Sequence, residues 1–516
     1  MMLLMKKAIF YALVLLPLLA GGQQHPGFSK LYRYEGDTLN RNNLFATGMY
    51  DSTSNTLFLN LETVPNPNAF TSFSLLMQVD LEGNVLASAT DSVTGHRSGY
   101  YAVVEKGGYL YWAGWTFTDD ITDSTQVLPL LTKTDKELNL IWRQVYPHEC
   151  AEGKFTDMVA GSGAGLYALY WKFTPTVHPY YPPSPLVSYL MEIDTATGAL
   201  LQEVQVGHTK DCGVGLAVKP NGEHTVAGYA YDGNGNAKPF AATGTAVGTE
   251  LWYQNYNQAI STWLINMSVS HEGSYACTGT SLIHPDTATG FISKLDEVGQ
   301  ELWRTQLKPA GTGSDGGFWD ICESVTGAAY VASGGGRQAI ATLDKGWLSC
   351  VDTGGQVLWN RVYTVVPGVE NTMHEYLYKV IALPDGGYIA AGAGFGTDAQ
   401  GRPNRQAGWL LRVDSLGCMD NDCATGIGDI GVQPAPKAQI YPNPAQGPFR
   451  LELEEGVFKP DSRVELLDAG GRLIRRWHPL AGSSSLYCNP GDAAAGVYIL
   501  RLRQDKQVLD FKLVIR

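Results

Sequence analysis

The chain has 516 residues, with 59 Gly, 27 Tyr and 12 Trp against 17% charged side chains. That length exceeds one small domain, and the composition favours turn-rich, aromatic-rich β structure over a helical bundle. The formal charge is −13, or −15 without Lys6 and Lys7, and because residues 439–516 hold 11 basic and 9 acidic side chains, residues 23–438 carry −17. A surface of that sign repels nucleic acid and anionic lipid, so no nucleic-acid partner is expected.

The chain opens with Lys6 and Lys7, then the apolar run AIFYALVLLPLLA at residues 8–20, then Gly21 and Gly22. A basic start, a 13-residue apolar core and small residues at the cut are the parts of a secretory signal peptide, expected over residues 1–22. The run is shorter than the ~20 residues a membrane helix needs, and no later run is longer, so no transmembrane span is expected in the mature chain. Export permits disulfides. Of the eight cysteines only Cys418 and Cys423, in GCMDNDC, lie close enough in sequence to suggest a pair, and their spacing lacks the C-x-x-C form and second pair of a zinc site.

From residue 23 onward one phrase recurs. It reads SLLMQVDLEGNVL at Asp80, LLTKTDKELNLIW at Asp135 and YLMEIDTATGALL at Asp194, then FAATGTAVGTELW at Gly244. It returns as FISKLDEVGQELW at Asp296, WLSCVDTGGQVLW at Asp352 and WLLRVDSLG at Asp414, with copies 50 to 62 residues apart. Seven copies at that spacing predict a repeat of four-stranded units, a seven-bladed β-propeller over residues 23–423. Within a copy, an alternating strand runs into Asp-x-x-Gly. The aspartate can accept from the backbone two residues on, and the glycine takes the positive φ that turns the chain back. The aspartates at 80, 135, 194, 296, 352 and 414 are therefore expected to be turn residues. A glycine-bounded strand precedes each phrase, as in GGYLYWAG at Gly107 and GGYIAAG at Gly386. The last copy stops at Gly417, and FSKLYRY at Phe28 matches WRQVY at Trp142 and WNRVY at Trp359. Leu31 to Tyr34 are thus expected to complete the last blade and remove a free sheet edge.

The Asp-x-x-Gly-x-x-x-Trp phrase resembles the blade motif of quinoprotein-like propellers, and the pairing of GGYIAAG with GWLLRVDSLG resembles propeller proteins exported by Bacteroidetes-type bacteria. Quinoprotein dehydrogenases of this general shape often use an adjacent Cys-Cys pair and a calcium-ligating set; no adjacent cysteines occur here, so the likeness implies shared blade geometry.

Residues 424–438 are rich in Gly, Ala and Pro without apolar periodicity and are expected to be a linker. Residues 439–516 read as short alternating strands, a small Ig-like β-sandwich. This segment resembles the type A C-terminal sorting domain of the type IX secretion system. The matching residues are Tyr441, Pro442, Asn443 and Pro444 at its start, Gly470 and Gly471 in LLDAGGRLI, Gly496 and Tyr498 in GVY, and a final basic and apolar strand containing Lys512. The resemblance implies a partner, the secretion machinery, and passage across the outer membrane to the cell surface or medium.

Chemistry is thinly signalled. There is no G-x-S-x-G, H-E-x-x-H or G-x-x-x-x-G-K pattern, and the ten histidines stand singly. No cofactor is evident. Asp232, Asn234 and Asn236 in DGNGN imitate the start of a calcium loop, but its twelfth position is Thr243 rather than Glu, and such strings are also ordinary turns. Asp119, Asp120 and Asp123, with Asp420 and Asp422, could pair for glycoside cleavage or simply keep loops soluble. Tyr180 and Tyr181 in HPYYPPSP, and Phe318 and Trp319 in GGFWD, are candidate ligand aromatics that could stack on sugars or anchor a protein. The sequence therefore points to an exported ligand-binding or adhesion module for a glycan or protein. The alternative is a polysaccharide-active enzyme, a hydrolase or lyase using loop carboxylates; no catalytic residue is assigned.

Overall fold

A computed structural model describes residues 27–33, 42–64, 73–91, 98–117, 127–146, 152–161, 163, 165–173, 186–232, 234–256, 261–284, 287–309, 315–337, 344–365, 374–397, 403–419, 438–453, 457–459, 462–468, 472–480, 482–491, 493–504 and 507–516. The segment 1–22 lies outside them. The chain divides into two compact units, Met1–Gly431 and Val432–Arg516, and no helix occurs among the described residues.

In the first unit, β1 (Phe28–Tyr32) precedes seven groups of strands. These are β2 (Asn42–Asp51), β3 (Thr56–Val64), β4 (Phe73–Val79) and β5 (Val85–Asp91); then β6 (Ser98–Lys106), β7 (Tyr109–Phe117), β8 (Val127–Thr134) and β9 (Leu140–Val145). Next come β10 (Glu152–Ala160), β11 (Gly165–Phe173), β12 (Leu186–Asp194) and β13 (Leu200–Val206), and β14 (Asp211–Val218), β15 (His224–Tyr231), β16 (Ala237–Gly244) and β17 (Glu250–Asn255). The last three groups are β18 (Ser261–Val269), β19 (Tyr275–His284), β20 (Thr287–Leu295) and β21 (Glu301–Leu307); β22 (Asp315–Glu323), β23 (Ala329–Arg337), β24 (Asp344–Asp352) and β25 (Val357–Tyr363); and β26 (Tyr376–Ala382), β27 (Tyr388–Thr397) and β28 (Pro403–Val413). Each group is an antiparallel meander of four strands; the second and third are linked by one parallel bridge between Val127 and Glu152. The last group takes β1 as its fourth strand, with Phe28 opposite Arg412 and Tyr32 opposite Gly408. The first strands touch in cyclic order, β2, β6, β10, β14, β18, β22, β26 and back to β2. The sheets are therefore propeller-like, arranged face to face around an axis.

The recurring phrase has a double purpose in this arrangement. Asp80, Asp296, Asp352 and Asp414 each accept from the backbone N–H two and four residues on, at 2.7–3.0 Å. Asp135 accepts from Asn139 at 2.7 Å and Asp194 from Thr197 at 2.9 Å. Glycine follows at positive φ in most copies, for example +79° at Gly299, while Leu138 takes that conformation in the second. Onto four of these turns comes an aromatic pair from the preceding sheet, while the Asp352 turn receives Trp303 and Thr305, the latter donating to Gly355 O at 2.6 Å. Tyr32, Tyr146, Tyr256 and Tyr363 donate to the carbonyls of Gly83, Gly198, Gly299 and Gly417 at 2.6–2.8 Å. A Cβ on those glycines would meet Phe28, Trp142, Trp252 and Trp359 within 2.4–2.9 Å. Phe28 and Tyr32 thus fill the place that a Trp and a Tyr fill on three other turns. Because both positive φ and ring contact forbid a side chain, Gly299→Ala is expected to destabilise the fold by about 2–4 kcal/mol, read as a shifted urea midpoint at unchanged slope.

The topology makes the two faces unlike. All first-to-second and third-to-fourth strand links are tight turns on one side. The longer connections, including those at 65–72, 118–126, 174–185, 338–343 and 366–373, join strand ends on the other side. Sheet-to-sheet cores are filled by side chains such as Trp112, Trp347 and Trp409, all fully buried.

In the second unit, one sheet holds β29 (Ala438–Tyr441), β30 (Phe449–Leu453) and β33 (Ser485–Cys488). The other holds β31 (Arg463–Leu467), β32 (Leu473–Trp477), β34 (Gly496–Gln504) and β35 (Gln507–Ile515). Phe449, Leu451, Leu466, Leu500 and Leu513 are buried in a shared core, and so is Cys488. Asn443 of the Tyr-Pro-Asn-Pro stretch acts as a false strand residue: its side-chain Nδ2 donates to Lys512 O at 2.8 Å, and its Oδ1 accepts from Val514 N at 3.0 Å. Pro442 and Pro444 flank it in cis peptide bonds, and Tyr441 is exposed. Gly496 opens β34, where Tyr498 donates to Ala494 O at 2.7 Å, and Lys512 projects from β35 into solvent. Gly470 and Gly471 lie outside the described residues.

Candidate functional site: an axial cavity and a loop-face pocket

Every innermost strand carries one β-bulge at an equivalent place. The pairing slips between Phe45 and Thr47, Tyr100 and Ala102, Phe155 and Asp157, Gly213 and Gly215, Leu264 and Asn266, Phe318 and Asp320, and Leu377 and Lys379. The extra residue re-aims its side chain. The bulged positions and their neighbours, Tyr101, Asp157, Asn266, Trp319, Asp320 and Lys379 among them, line one cavity of about 330 Å³ on the axis.

The polar side chains after the bulges link neighbouring sheets. Asp157 accepts from Met158 N and from Leu216 N of the next sheet, both at 2.8 Å. Asp320 accepts from Val380 N of the next sheet at 2.8 Å, from Asn266 Nδ2 of the preceding one at 2.6 Å, and from Lys379 Nζ at 3.2 Å. Asp320 is 1% exposed, whereas the Lys379 side chain is 30% exposed to the cavity. Burial raises the Asp320 pKa against the opposing pull of Lys379. For Lys379, burial works against the charge, but Asp320 and then Asp157 outweigh it, and its pKa is raised. Burial likewise pushes the Asp157 carboxyl up to about 6, with Lys379 pulling the other way. The folded pKa of Asp157 therefore lies above its unfolded value, so the folded chain takes up a proton first as pH falls. Stability contributed by this site is expected to rise by up to about 3 kcal/mol between pH 7 and pH 4. The check is the difference in unfolding free energy between the wild type and Asp157→Ala, which widens on acidification through pH 6.

A second pocket, of about 410 Å³, opens where β19, β20, β22, β23, β24 and β26 present their loop-face ends, and Trp319 lines both spaces. Trp319 meets Tyr376 edge-on at 5.2 Å, and His374 stacks on Tyr376 at 5.8 Å between ring centres. Asp344 gathers three partners. Tyr376 Oη donates to it at 2.9 Å, His374 Nδ1 lies 2.7 Å away, and Arg337 Nε is 3.6 Å away.

Of the aromatics read as ligand-facing, Trp319 lines these spaces, but Phe318 does not. Phe318 is fully buried and stacks on Trp347 at 4.0 Å, and a Cβ on Gly290 would lie 2.6 Å from its ring. It is a core side chain, and the glycines of its neighbourhood give it room rather than exposure. Tyr180 and Tyr181 lie outside the described residues, as do Asp119, Asp120, Asp123, Asp420 and Asp422. Cys418 is disulfide-bonded, while Cys212, Cys277, Cys322, Cys350 and Cys488 are free; Cys423 and Cys150 lie outside the described residues. Asp232 spends its carboxylate on the N–H groups of Asn234 and Asn236 at 2.8 and 2.9 Å, as the turn aspartates do. Among the described residues no three His, Cys, Asp or Glu side chains converge as a metal site.

The axial cavity, the four-stranded sheets and the cyclic contacts define an all-β, propeller-like protein. Residues 439–516 match the family model of the secretion system C-terminal sorting domain. That match indicates export by the type IX secretion system to the cell surface or extracellular space, and interaction with its machinery. No helix of the described residues is long and apolar enough to cross a membrane. No curated protein matches the sequence. Among solved structures, a Trypanosoma rangeli sialidase is similar over 84% of this chain and 86% of its own at 11% identity, TM-score 0.41. A subtype N11 neuraminidase-like protein from a flat-faced bat isolate is similar over 77% and 95% at 9% identity, TM-score 0.38. A puromycin hydrolase is similar over 84% and 62% at 12% identity, TM-score 0.38. None of the three informs the ligand or reaction of this chain.

Proposed function

We propose that residues 23–423 form a seven-bladed β-propeller and residues 439–516 an Ig-like sorting domain, joined by a linker over 424–438, with Cys418 paired to Cys423. In this reading the propeller is a ligand-binding or adhesion module for a glycan or protein, delivered outside the cell. The observation that carries it is the division of labour between carboxylates and aromatics. The axial acids Asp157 and Asp320 are occupied holding backbone amides of neighbouring blades, which suits structure better than acid–base turnover. The aromatic pocket instead lies on the face that bears the longer connections, where binding residues concentrate. The test is to present the full chain to arrayed glycans and extracellular proteins while assaying the same glycans for cleavage. Retained binding without product supports the module; released product supports a polysaccharide-active enzyme.

A further inference from the structure

The loop-face pocket contains groups whose hydrogen-bonding capacity the fold leaves unused. Asp315 and Trp319 both line it. Among the described residues the Asp315 carboxylate accepts no hydrogen bond and the Trp319 indole N–H donates none. Arg337, its side chain 45% exposed, approaches Asp344 through Nε at 3.6 Å, and among the described residues its guanidinium makes no hydrogen bond. Beneath them the floor is glycine. A Cβ on Gly335 would lie 2.5 Å from the Tyr376 ring and 2.9 Å from the Trp319 ring, so both rings rest directly on backbone. The cavity, about 410 Å³, falls within the usual range for small-ligand sites.

A ligand for this pocket must satisfy three demands together. It must donate to Asp315, accept from Trp319 and Arg337, and offer an apolar face to the aromatic ledge. An ammonium group donates but cannot accept, and Arg337 would repel it. A sugar acid could accept, but it would face both Asp315 and Asp344, with one guanidinium already turned toward the latter. A neutral pyranose has hydroxyls that donate and accept, and a C–H face that stacks. Resting on the binding-module reading above, we propose that the Asp315, Trp319, Arg337 and Tyr376 pocket is a subsite for a neutral hexopyranose unit of a glycan.

The experiment uses the full chain on an array of neutral, sialylated and uronate-containing glycans, followed by titration with the neutral oligosaccharide that binds best. Trp319→Ala and Asp315→Asn are each expected to weaken that binding on the order of tenfold or more. Asp315→Asn keeps the side-chain shape, so its thermal midpoint should match the wild type and separate loss of binding from loss of fold. Binding confined to acidic glycans, or neutral-glycan binding indifferent to both substitutions, overturns the subsite while leaving the module intact. Capture of extracellular proteins alone does the same. Failure to bind any glycan or protein overturns both.

Discussion

Removal of β1, by deleting residues 27–33, is expected to abolish the cooperative unfolding transition of the first unit. β1 supplies the fourth strand of a sheet whose other strands come from the far end of the unit, with Phe28 opposite Arg412. Its loss exposes the backbone edge of β28 and withdraws Leu31, Phe28 and Tyr32 from two core clusters. It also removes the bonds from Tyr32 to Gly83 O and from Lys30 to Glu82 O, each at 2.6 Å, that hold the first sheet against the last. The combined loss is on the order of 5 kcal/mol or more, comparable with the whole stability of many domains. Circular dichroism during urea titration reads the effect, and a peptide of residues 27–33 added in trans should partly restore the transition. An unchanged midpoint would show that the ring does not depend on this closure.

The substitution Asp320→Ala should cost about 3–5 kcal/mol, the largest expected effect of any single axial residue. Three groups lose their acceptor together: Lys379 Nζ, Asn266 Nδ2 and Val380 N. The ammonium of Lys379 is then left beside the axis with Asp157 as the remaining carboxylate, and the opposing effects on Asp157 shift too. Loss of Asp320 removes a charge that raises the Asp157 pKa and leaves Lys379 to lower it, so the Asp157 titration should move below 6. Thermal unfolding measures the first effect, and the pH dependence of stability measures the second. Replacing Lys379 as well, by Met, should return part of the loss by removing the unpaired charge.

Much of the ring was legible because its turns are repeated. Asp-x-x-Gly is dictated locally, by an aspartate that bonds its own backbone and a glycine that takes positive φ. The matching of FSKLYRY with WNRVY identified the closing strand, although it runs over Phe28–Tyr32 rather than starting at the expected Leu31, because Phe28 and Tyr32 must fill the same contacts as Trp359 and Tyr363. The axial site was not legible in the same way. A bulge inserts one residue without disturbing the apolar alternation enough to be noticed, so the inward turn of Trp319 or Tyr378 has no signature in a single strand. Its signal lay across the repeats, where Phe155-Thr156-Asp157, Leu264-Ile265-Asn266, Phe318-Trp319-Asp320 and Leu377-Tyr378-Lys379 align as large apolar, variable, polar. In that column Phe318 falls with the buried Phe155, which corrects its reading as an exposed aromatic.

The strand that enters the ring and the strand that leaves it do so through the same face. Gly27 packs against the backbone of Met419, and both lie at the tight-turn end, opposite the longer connections. A molecule held on the loop face and a tether running from the C-terminal end of β28 would therefore pull along the strand axis. The backbone bonds of β28 to β27 and to β1 would then be loaded in shear, many at once, rather than opened one after another. The disulfide at Cys418 lies where that load enters the sheet. In the adhesion reading proposed above, a domain joined in this way would transmit tension between a surface and a ligand without peeling open.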